Sequence, residues 1–170
     1  KSGFISLHSL NSAKIISSVF AENRLSGDII NVKYSTDVLI SSAFYNNTQG
    51  GTVINSLNNE NLHSDNSIFT GNTMDYIIKS TNYQNTISGC IFTDNAVINV
   101  VSSNDKYLSV LESTFSDNTL SDNGALNIAS GNAIVNGSIF TNNAANNYRI
   151  IYSASSNMNI INSVFDAFNV

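Results

Sequence analysis

Hydrophobic and polar positions along this chain follow a repeat of 23 to 25 residues. Each copy carries an aliphatic residue in most cases, a Ser three residues later, a Phe two residues after the Ser, and an Asn three residues after the Phe. The Phe residues are Phe20, Phe44, Phe69, Phe92, Phe115, Phe140 and Phe165. The Asn residues are Asn23, Asn47, Asn72, Asn95, Asn118 and Asn143. A period this regular predicts a repeat protein.

The hydrophobic pattern within each copy predicts three short strands. The first strand carries the aliphatic residue, a bend of one or two residues follows, and the second strand carries Ser-x-Phe, as in Ser67-Ile68-Phe69. A third strand, such as Tyr76-Ile77-Ile78-Lys79, follows a connection of variable length. No helical periodicity competes, and the chain has no Pro.

Strands of this kind bury their apolar side only when coils stack, at about 4.8 Å per coil. We therefore predict an all-β fold, a right-handed single-stranded parallel β-helix (solenoid) of about seven coils of 23–25 residues. Residues 1–170 are expected to form one β-helix segment. The chain opens at Lys1-Ser2-Gly3-Phe4 in what looks like the middle of a repeat, so we expect a fragment of a longer repeat protein.

The Phe and Ser rows are predicted to face the interior, because residues two apart on a strand point to the same side. The Asn row has two interpretations. Stacked Asn amides can bond to each other and to the turning backbone, or a row of amides could bind sugar. The structural role is favoured because Asn occurs in nearly every copy, whereas a binding site would occupy only a few coils.

Composition narrows the function. Only 11% of residues are charged, the net charge is -5 and the pI is near 4.6, so no basic surface for nucleic acid is expected. The single cysteine, Cys90, excludes an internal disulfide and a Cys-based zinc site, and it occupies a Ser position of the repeat. No apolar run approaches the roughly 18 residues of a membrane span, so no direct membrane insertion is predicted.

The search for chemistry gives one stacked pair of carboxylates, Asp94 and Asp117, two residues after Phe in neighbouring copies. These two could contact calcium, but solvated turn residues are the favoured interpretation. His8 and His63 occupy different offsets. We predict no catalytic residues and no cofactor. The tyrosines occupy scattered offsets, so no continuous sugar-stacking strip is predicted; they are Tyr34, Tyr45, Tyr76, Tyr83, Tyr107, Tyr148 and Tyr152.

The Phe-x-x-Asn pairs, together with Gly50-Gly51-Thr52 and Asn123-Gly124-Ala125, give the chain a family resemblance. It resembles the passenger repeats of chlamydial polymorphic membrane proteins and the adhesin-like surface proteins of methanogenic archaea. The resemblance implies a right-handed β-helix displayed on a cell surface, with adhesion as the usual presumed role. Pectate-lyase-like enzymes share this architecture, so an active site has to be sought and not assumed.

The leading expectation is a non-catalytic, extracellular, cell-surface adhesin-like shaft that binds cell-surface glycan or protein or presents a distal domain. One alternative is part of a polysaccharide-active lyase or hydrolase with catalytic coils outside this segment. A purely structural appendage or filament component is the other. Because open β-helix ends expose unpaired strand edges, neighbouring coils or partner chains are expected to cover Gly3–Leu7 and Ser163–Val170.

Overall fold

The structure, a computed structural model, describes residues 4–147, 149–154 and 156–166, apart from the side chain of Asn123. Strands numbered in chain order make up most of these residues. They are β1 (Ile5–His8), β2 (Ser12–Ala21), β3 (Ile30–Lys33), β4 (Asp37–Tyr45), β5 (Thr52–Leu57), β6 (Asn61–Asp65), β7 (Ile68–Thr70), β8 (Tyr76–Thr81), β9 (Gln84–Ser88), β10 (Ile91–Thr93), β11 (Ala96–Ser103), β12 (Tyr107–Leu111), β13 (Thr114–Ser116), β14 (Thr119–Ile128), β15 (Gly131–Asn136), β16 (Ile139–Thr141), β17 (Ala144–Ala145), β18 (Ile151–Ser153), β19 (Ser156–Ile161) and β20 (Val164–Asp166).

These strands form three faces of a solenoid. The first face contains β6, β9, β12, β15 and β19, and the Phe face contains β7, β10, β13, β16 and β20. Strands β2 and β4 run through both faces and join them into one sheet of twelve strands. The third face is an eight-stranded sheet of β1, β3, β5, β8, β11, β14, β17 and β18.

Every strand in the described residues pairs in parallel with the equivalent strand of a neighbouring coil, as in Phe69 opposite Phe92 and Phe92 opposite Phe115. The described residues contain no helix. The predicted parallel β-helix is therefore confirmed. The seven Phe layers enclose about six turns, close to the seven coils expected from the sequence.

The core of the Phe face is a continuous stack of aromatic rings. Successive ring centroids are 4.6–4.9 Å apart and the ring planes differ by 14° or less. This separation equals the spacing of paired strands, so the backbone ladder itself brings each ring into contact with the next. The inner Phe side chains are fully buried, from Phe44 to Phe140.

The corner after each Phe requires a left-handed backbone. The residue two positions after the Phe has φ between 51° and 65° in six coils, at Glu22, Asn46, Gly71, Asp94, Asp117 and Asn142. Asn, Asp and Gly adopt this conformation most easily, which explains why they dominate this row. The bend before Ser-x-Phe is a second left-handed row, at Asn66, Gly89, Gly137 and Asn162 among others.

The third face is less regular than the other two, as the variable connection predicts. The pairing of β11 with β14 shifts between Val97 and Asn99, so that Asn99 lies opposite Gly124. Gly124 has φ of 107°, and a Cβ there would lie 2.6 Å from the carbonyl oxygen of Ile150. The position therefore accepts only glycine without strain.

Candidate functional site

The Asn row forms a closed hydrogen-bonded ladder inside the solenoid. Asn72 shows the pattern: its backbone N–H and its Nδ2 both donate to Oδ1 of Asn95, each at 3.0 Å. Its Nδ2 also donates to the carbonyl oxygen of Phe44, and its own Oδ1 accepts two bonds from Asn47. The amide thus uses both donors and both lone pairs while fully buried.

The same contacts join each successive pair of row members from Asn23 to Asn143. The predicted Asn ladder is confirmed, and its place is structural: from Asn47 to Asn143 each amide is buried and bonded to the backbone and to its neighbours. These buried amides are not accessible to a ligand.

The Ser row has a role that the sequence did not reveal. The Ser row was predicted only to face the interior, and the structure shows that its hydroxyls also bridge coils. Ser67 Oγ accepts the backbone N–H of Ser42 at 3.1 Å and donates to the carbonyl of Ile40 at 3.1 Å. Cys90 substitutes in this row: its Sγ donates to the carbonyl of Ser64 at 3.0 Å, and its N–H donates to Ser113 Oγ. Burial raises the pKa of the Cys90 thiol to about 12, which disfavours the reactive thiolate.

A second ladder lies at the corner between the third face and the first face. The backbone N–H groups of Ser35, Asn59 and Asn82 donate in turn to the side-chain Oδ1 of Asn59, Asn82 and Asp105, at 2.7, 3.0 and 2.6 Å. The ladder ends at Asp105, because its backbone N–H donates within its own coil to Ser103 Oγ at 3.3 Å and its carboxylate has no N–H to donate.

Asp105 is a buried carboxylate held by hydrogen bonds alone. Its Oδ2 accepts the hydroxyls of Ser80 and Ser103 at 2.5 and 2.6 Å and the Nδ2 of Asn85 at 3.2 Å. Burial raises the pKa of the Asp105 carboxyl above its ordinary value, and these bonds oppose the rise only in part. The Oδ1 of Asn85, fully buried beside it, has no partner in the described part of the chain.

The candidate calcium pair lies on the surface. Asp94 and Asp117 are both exposed and both occupy the left-handed corner position, with φ of 54° and 55°. Within residues 4–147, 149–154 and 156–166, no group of three or more His, Cys, Asp or Glu side chains is placed to hold a metal ion. The backbone conformation explains these two aspartates without a ligand.

The histidines stay apart and two tyrosines come together. His8 packs edge-on against Tyr34 with ring centroids 5.1 Å apart, whereas His63 lies 3.6 Å from Asp37 on the first face. Tyr83 and Tyr107, scattered by sequence offset, have ring centroids 5.5 Å apart. Lys106 lies over both rings, at 4.7 and 5.5 Å. Tyr148 is outside the described residues.

A polar cleft of about 320 Å³ opens on the solvent side of the third face. Asp28 forms its floor: Oδ2 accepts Nδ2 of Asn31 at 2.9 Å and of Asn55 at 2.8 Å, and Oδ1 accepts the backbone N–H of Thr52 at 2.9 Å. Asp75 lies on the opposite side of the cleft and accepts the N–H of Gly51 at 3.0 Å. We name this site the Asp28 cleft.

The rim of the Asp28 cleft is formed by Lys33, Tyr76 and Lys79. The Lys79 ammonium lies 4.9 Å from the centroid of the Tyr76 ring. Burial raises the pKa of the Tyr76 phenol, and the negative charges of Asp75 and Asp122 add to the rise. Tyr76 is therefore a neutral hydrogen-bond donor at ordinary pH.

Asp28 and Asp75 lie at different distances from the repeated Phe in the sequence, yet the structure places both at one cleft. The two carboxylates stand 47 positions apart in the chain and lie on the connections that lead into β3 and β8, two coils apart, with the connection into β5 between them. The variable connection before the third strand hides this relation in an alignment made on Phe. The Gly50-Gly51-Thr52 motif, which contributes Gly51 and Thr52, was the only sequence signal near the site.

The fold and its ladders define a β-solenoid shaft. No protein-family model matches the sequence, and neither the curated proteins nor the solved structures contain a significant match to it. Across the described residues there is no helix long and apolar enough to cross a membrane.

Proposed function

We propose that this chain is a non-catalytic shaft of an extracellular, cell-surface adhesin-like protein. The observation that carries the proposal is the unbroken Asn ladder from Asn23 to Asn143. It links six consecutive coils with the same contacts, and coil length varies by only two residues. A stack that is so uniform favours a spacer, about 29 Å tall for six turns at the strand spacing.

The hydrogen bonds that Asp28 accepts in the Asp28 cleft support a non-catalytic role. A general acid or base must be free to exchange a proton with a substrate. Asp28 accepts three hydrogen bonds from groups of the chain itself, two of them from the side-chain amides of Asn31 and Asn55. Its carboxylate is occupied in positioning Asn31 and Asn55.

Incubation with neutral and acidic polysaccharides, followed by assay of released reducing ends, tests the proposal against an enzyme. We expect no product above a heat-denatured control, while a glycan array shows retention of the folded chain on one or more glycans. Sustained product release that saturates with polysaccharide concentration would contradict the shaft proposal and favour a polysaccharide-active enzyme. A chain that neither binds nor cleaves would support a purely structural appendage or filament component instead.

The two ends of the stack support further association. Phe165 is 38% exposed although Phe140, one layer inside, is fully buried. At the other end, Ile5 and Leu7 are only half-buried, although their partners one layer inside, Ile30 and Val32, are fully buried. We propose that a neighbouring coil or a partner chain covers these layers; of the segments predicted to be covered, Gly3 and residues 167–170 lie outside the described residues. Sedimentation at high protein concentration should show association, and a persistent monomer would contradict this part of the proposal.

A further inference from the structure

We propose that the Asp28 cleft binds a neutral pyranose unit of a glycan. This inference rests on the proposed role as a binding shaft and specifies where on the shaft the sugar is held. The first step is the rigidity of the floor. Asp28 fixes two amide side chains at once, because its Oδ2 accepts Nδ2 of both Asn31 and Asn55. The floor is therefore shaped before any ligand arrives.

The second step is an acceptor without a partner. With its Nδ2 engaged by Asp28, the Asn55 side chain cannot turn freely, and its Oδ1 is buried with no hydrogen-bond partner in the described part of the chain. Buried acceptors in folded proteins almost always receive a bond, so Asn55 Oδ1 is an unsatisfied acceptor. A ligand hydroxyl would satisfy it once the surrounding side chains move enough to expose the oxygen.

The third step is the balance of charge. Two carboxylates, Asp28 and Asp75, and two ammonium groups, Lys33 and Lys79, line the same cleft. Such a balance gives no advantage to a phosphate or to a divalent cation, whereas donors and acceptors on facing sides suit a ligand whose hydroxyls both donate and accept. The Tyr76 ring adds an apolar surface and a phenol donor, and the volume falls within the range of small-ligand sites.

The fourth step is the contrast with the coils further along the third face. There Asn99 Nδ2 donates to the carbonyl of Gly124 at 3.0 Å, and Asn127 Nδ2 donates to Asn99 Oδ1 at 3.3 Å. In the register of the sheet, the stacked amides of Asn31 and Asn55 are followed by Lys79 and Ser102, and Asn99 lies opposite Tyr76, so the further coils do not repeat the amide pair of the floor. The open arrangement is confined to the coils of β3, β5 and β8.

Nuclear magnetic resonance of the folded, isotope-labelled chain tests the inference directly. The probes are the methyl pyranosides of glucose, galactose and mannose, with methyl glucuronopyranoside as the acidic comparison. We expect saturable shifts with at least one neutral glycoside at the side-chain amides of Asn31 and Asn55 and at the backbone amides of Gly51 and Thr52. The affinity should lie in the millimolar range expected for one sugar unit.

Two phenylalanine variants make the test specific. Tyr76→Phe removes the phenol donor and should weaken binding by about five- to tenfold, the loss expected for one hydrogen bond. Tyr107→Phe is the matched control, because Tyr107 is also an exposed tyrosine beneath a lysine, and it should leave the affinity unchanged. The amide spectrum of each variant reports directly whether it remains folded.

Three results would overturn the inference: no saturable shift with any neutral glycoside, equal affinity after Tyr76→Phe, or binding of the glucuronoside alone that disappears at high salt. The last result would mean attraction to Lys33 or Lys79 without recognition of hydroxyls. None of these results touches the shaft proposal, which is tested by the absence of turnover and by retention on glycans at any surface of the molecule.

Discussion

Two corners of the solenoid carry internal ladders that contain side-chain amides, but only one of these ladders is uniform. The Asn ladder repeats a neutral amide that donates onward and accepts from behind, so it can continue through any number of coils. The second ladder runs from Ser35 through Asn59 and Asn82 and ends at Asp105. At Asp105 the carboxylate cannot donate and the backbone N–H donates to Ser103 of the same coil, so the repeating contact stops there.

The difference shows what a repeat protein must conserve in each coil. A residue that both donates and accepts along the axis stabilises the coils on each side of it, whereas a residue that only accepts stabilises one side. Asp105 also brings a charge into the interior, where Ser80 and Ser103 donate to it. The corner of the Asn row therefore provides a continuous contact between coils. The corner of Asp105 makes the stability of the fold depend on pH.

The largest effect is expected from breaking the uniform ladder at its centre. Asn95→Ala removes the bonds to Asn118 and to the Phe69 carbonyl and leaves the donors of Asn72 without their acceptor. Several buried polar groups then lack partners, so we expect a loss of about 3–5 kcal/mol in the free energy of unfolding, measured by urea denaturation. Asn132→Ala, at an exposed position of β15, is the control and should change stability by less than about 0.5 kcal/mol.

Equal losses for these two alanine variants would show that the Asn ladder contributes nothing beyond an ordinary surface amide. A loss for Asn95→Ala confined to local fraying, with the global midpoint unchanged, would likewise contradict its role in joining the coils.

A smaller effect on the free energy of unfolding, with a characteristic pH dependence, is expected at Asp105, in the corner that carries the second ladder. Because the pKa of Asp105 is raised in the folded state, the folded chain binds the proton more tightly than the unfolded chain. The contribution of this group to stability is therefore fully present below the ordinary pKa of an aspartate and is lost as the pH rises through the raised pKa. Asp105→Asn should remove this loss. The free energy of unfolding of the variant should therefore increase relative to that of the native chain as the pH rises to 7.

Urea denaturation of both proteins between pH 3 and pH 7 measures this difference. An Asp105→Asn variant that becomes less stable than the native chain as the pH rises would mean that the ionised carboxylate is favoured by its four donors, against the direction inferred from burial.

The smallest effect is expected in the Ser row, where Cys90 already tests a substitution. Cys90→Ser restores the residue of the other coils and should change the free energy of unfolding by no more than about 1 kcal/mol. In the native chain, burial raises the pKa of the Cys90 thiol to about 12, so the thiolate is strongly disfavoured and a thiol reagent should react only on unfolding. Rapid modification of the folded chain would show that this row opens to solvent.

The sequence was sufficient to predict those parts of the fold whose residues lie a constant number of positions from the repeated Phe. The Phe and Asn rows lie within three residues of each other on one rigid corner, so their spacing survives every change of coil length. The second ladder also had a signal, since Asn59, Asn82 and Asp105 each stand ten residues before a Phe. It was missed because its members differ in residue type and because Ser35 is displaced by one position.

The Asp28 cleft could not be predicted in the same way. Its residues come from the connection and strand that slip in register, and Asp28 meets Asn55 and Asp75 only after the coils stack. Composition did not indicate the site either, because the cleft is lined by Asn, Tyr and Lys, which also occur elsewhere in the chain. Contacts between coils, not positions within one coil, create this site.

Native-state hydrogen exchange tests most directly the claim that the repeated block is a stacking unit. In the Asn row, each backbone N–H donates to the side-chain Oδ1 of the Asn in the next coil. The donors are Asn47, Asn72, Asn95 and Asn118. We predict that they exchange among the slowest in the chain, with one common free energy of opening equal to that of global unfolding. Exchange as fast as that of the exposed corner residues, or a different opening energy for each coil, would contradict the claim.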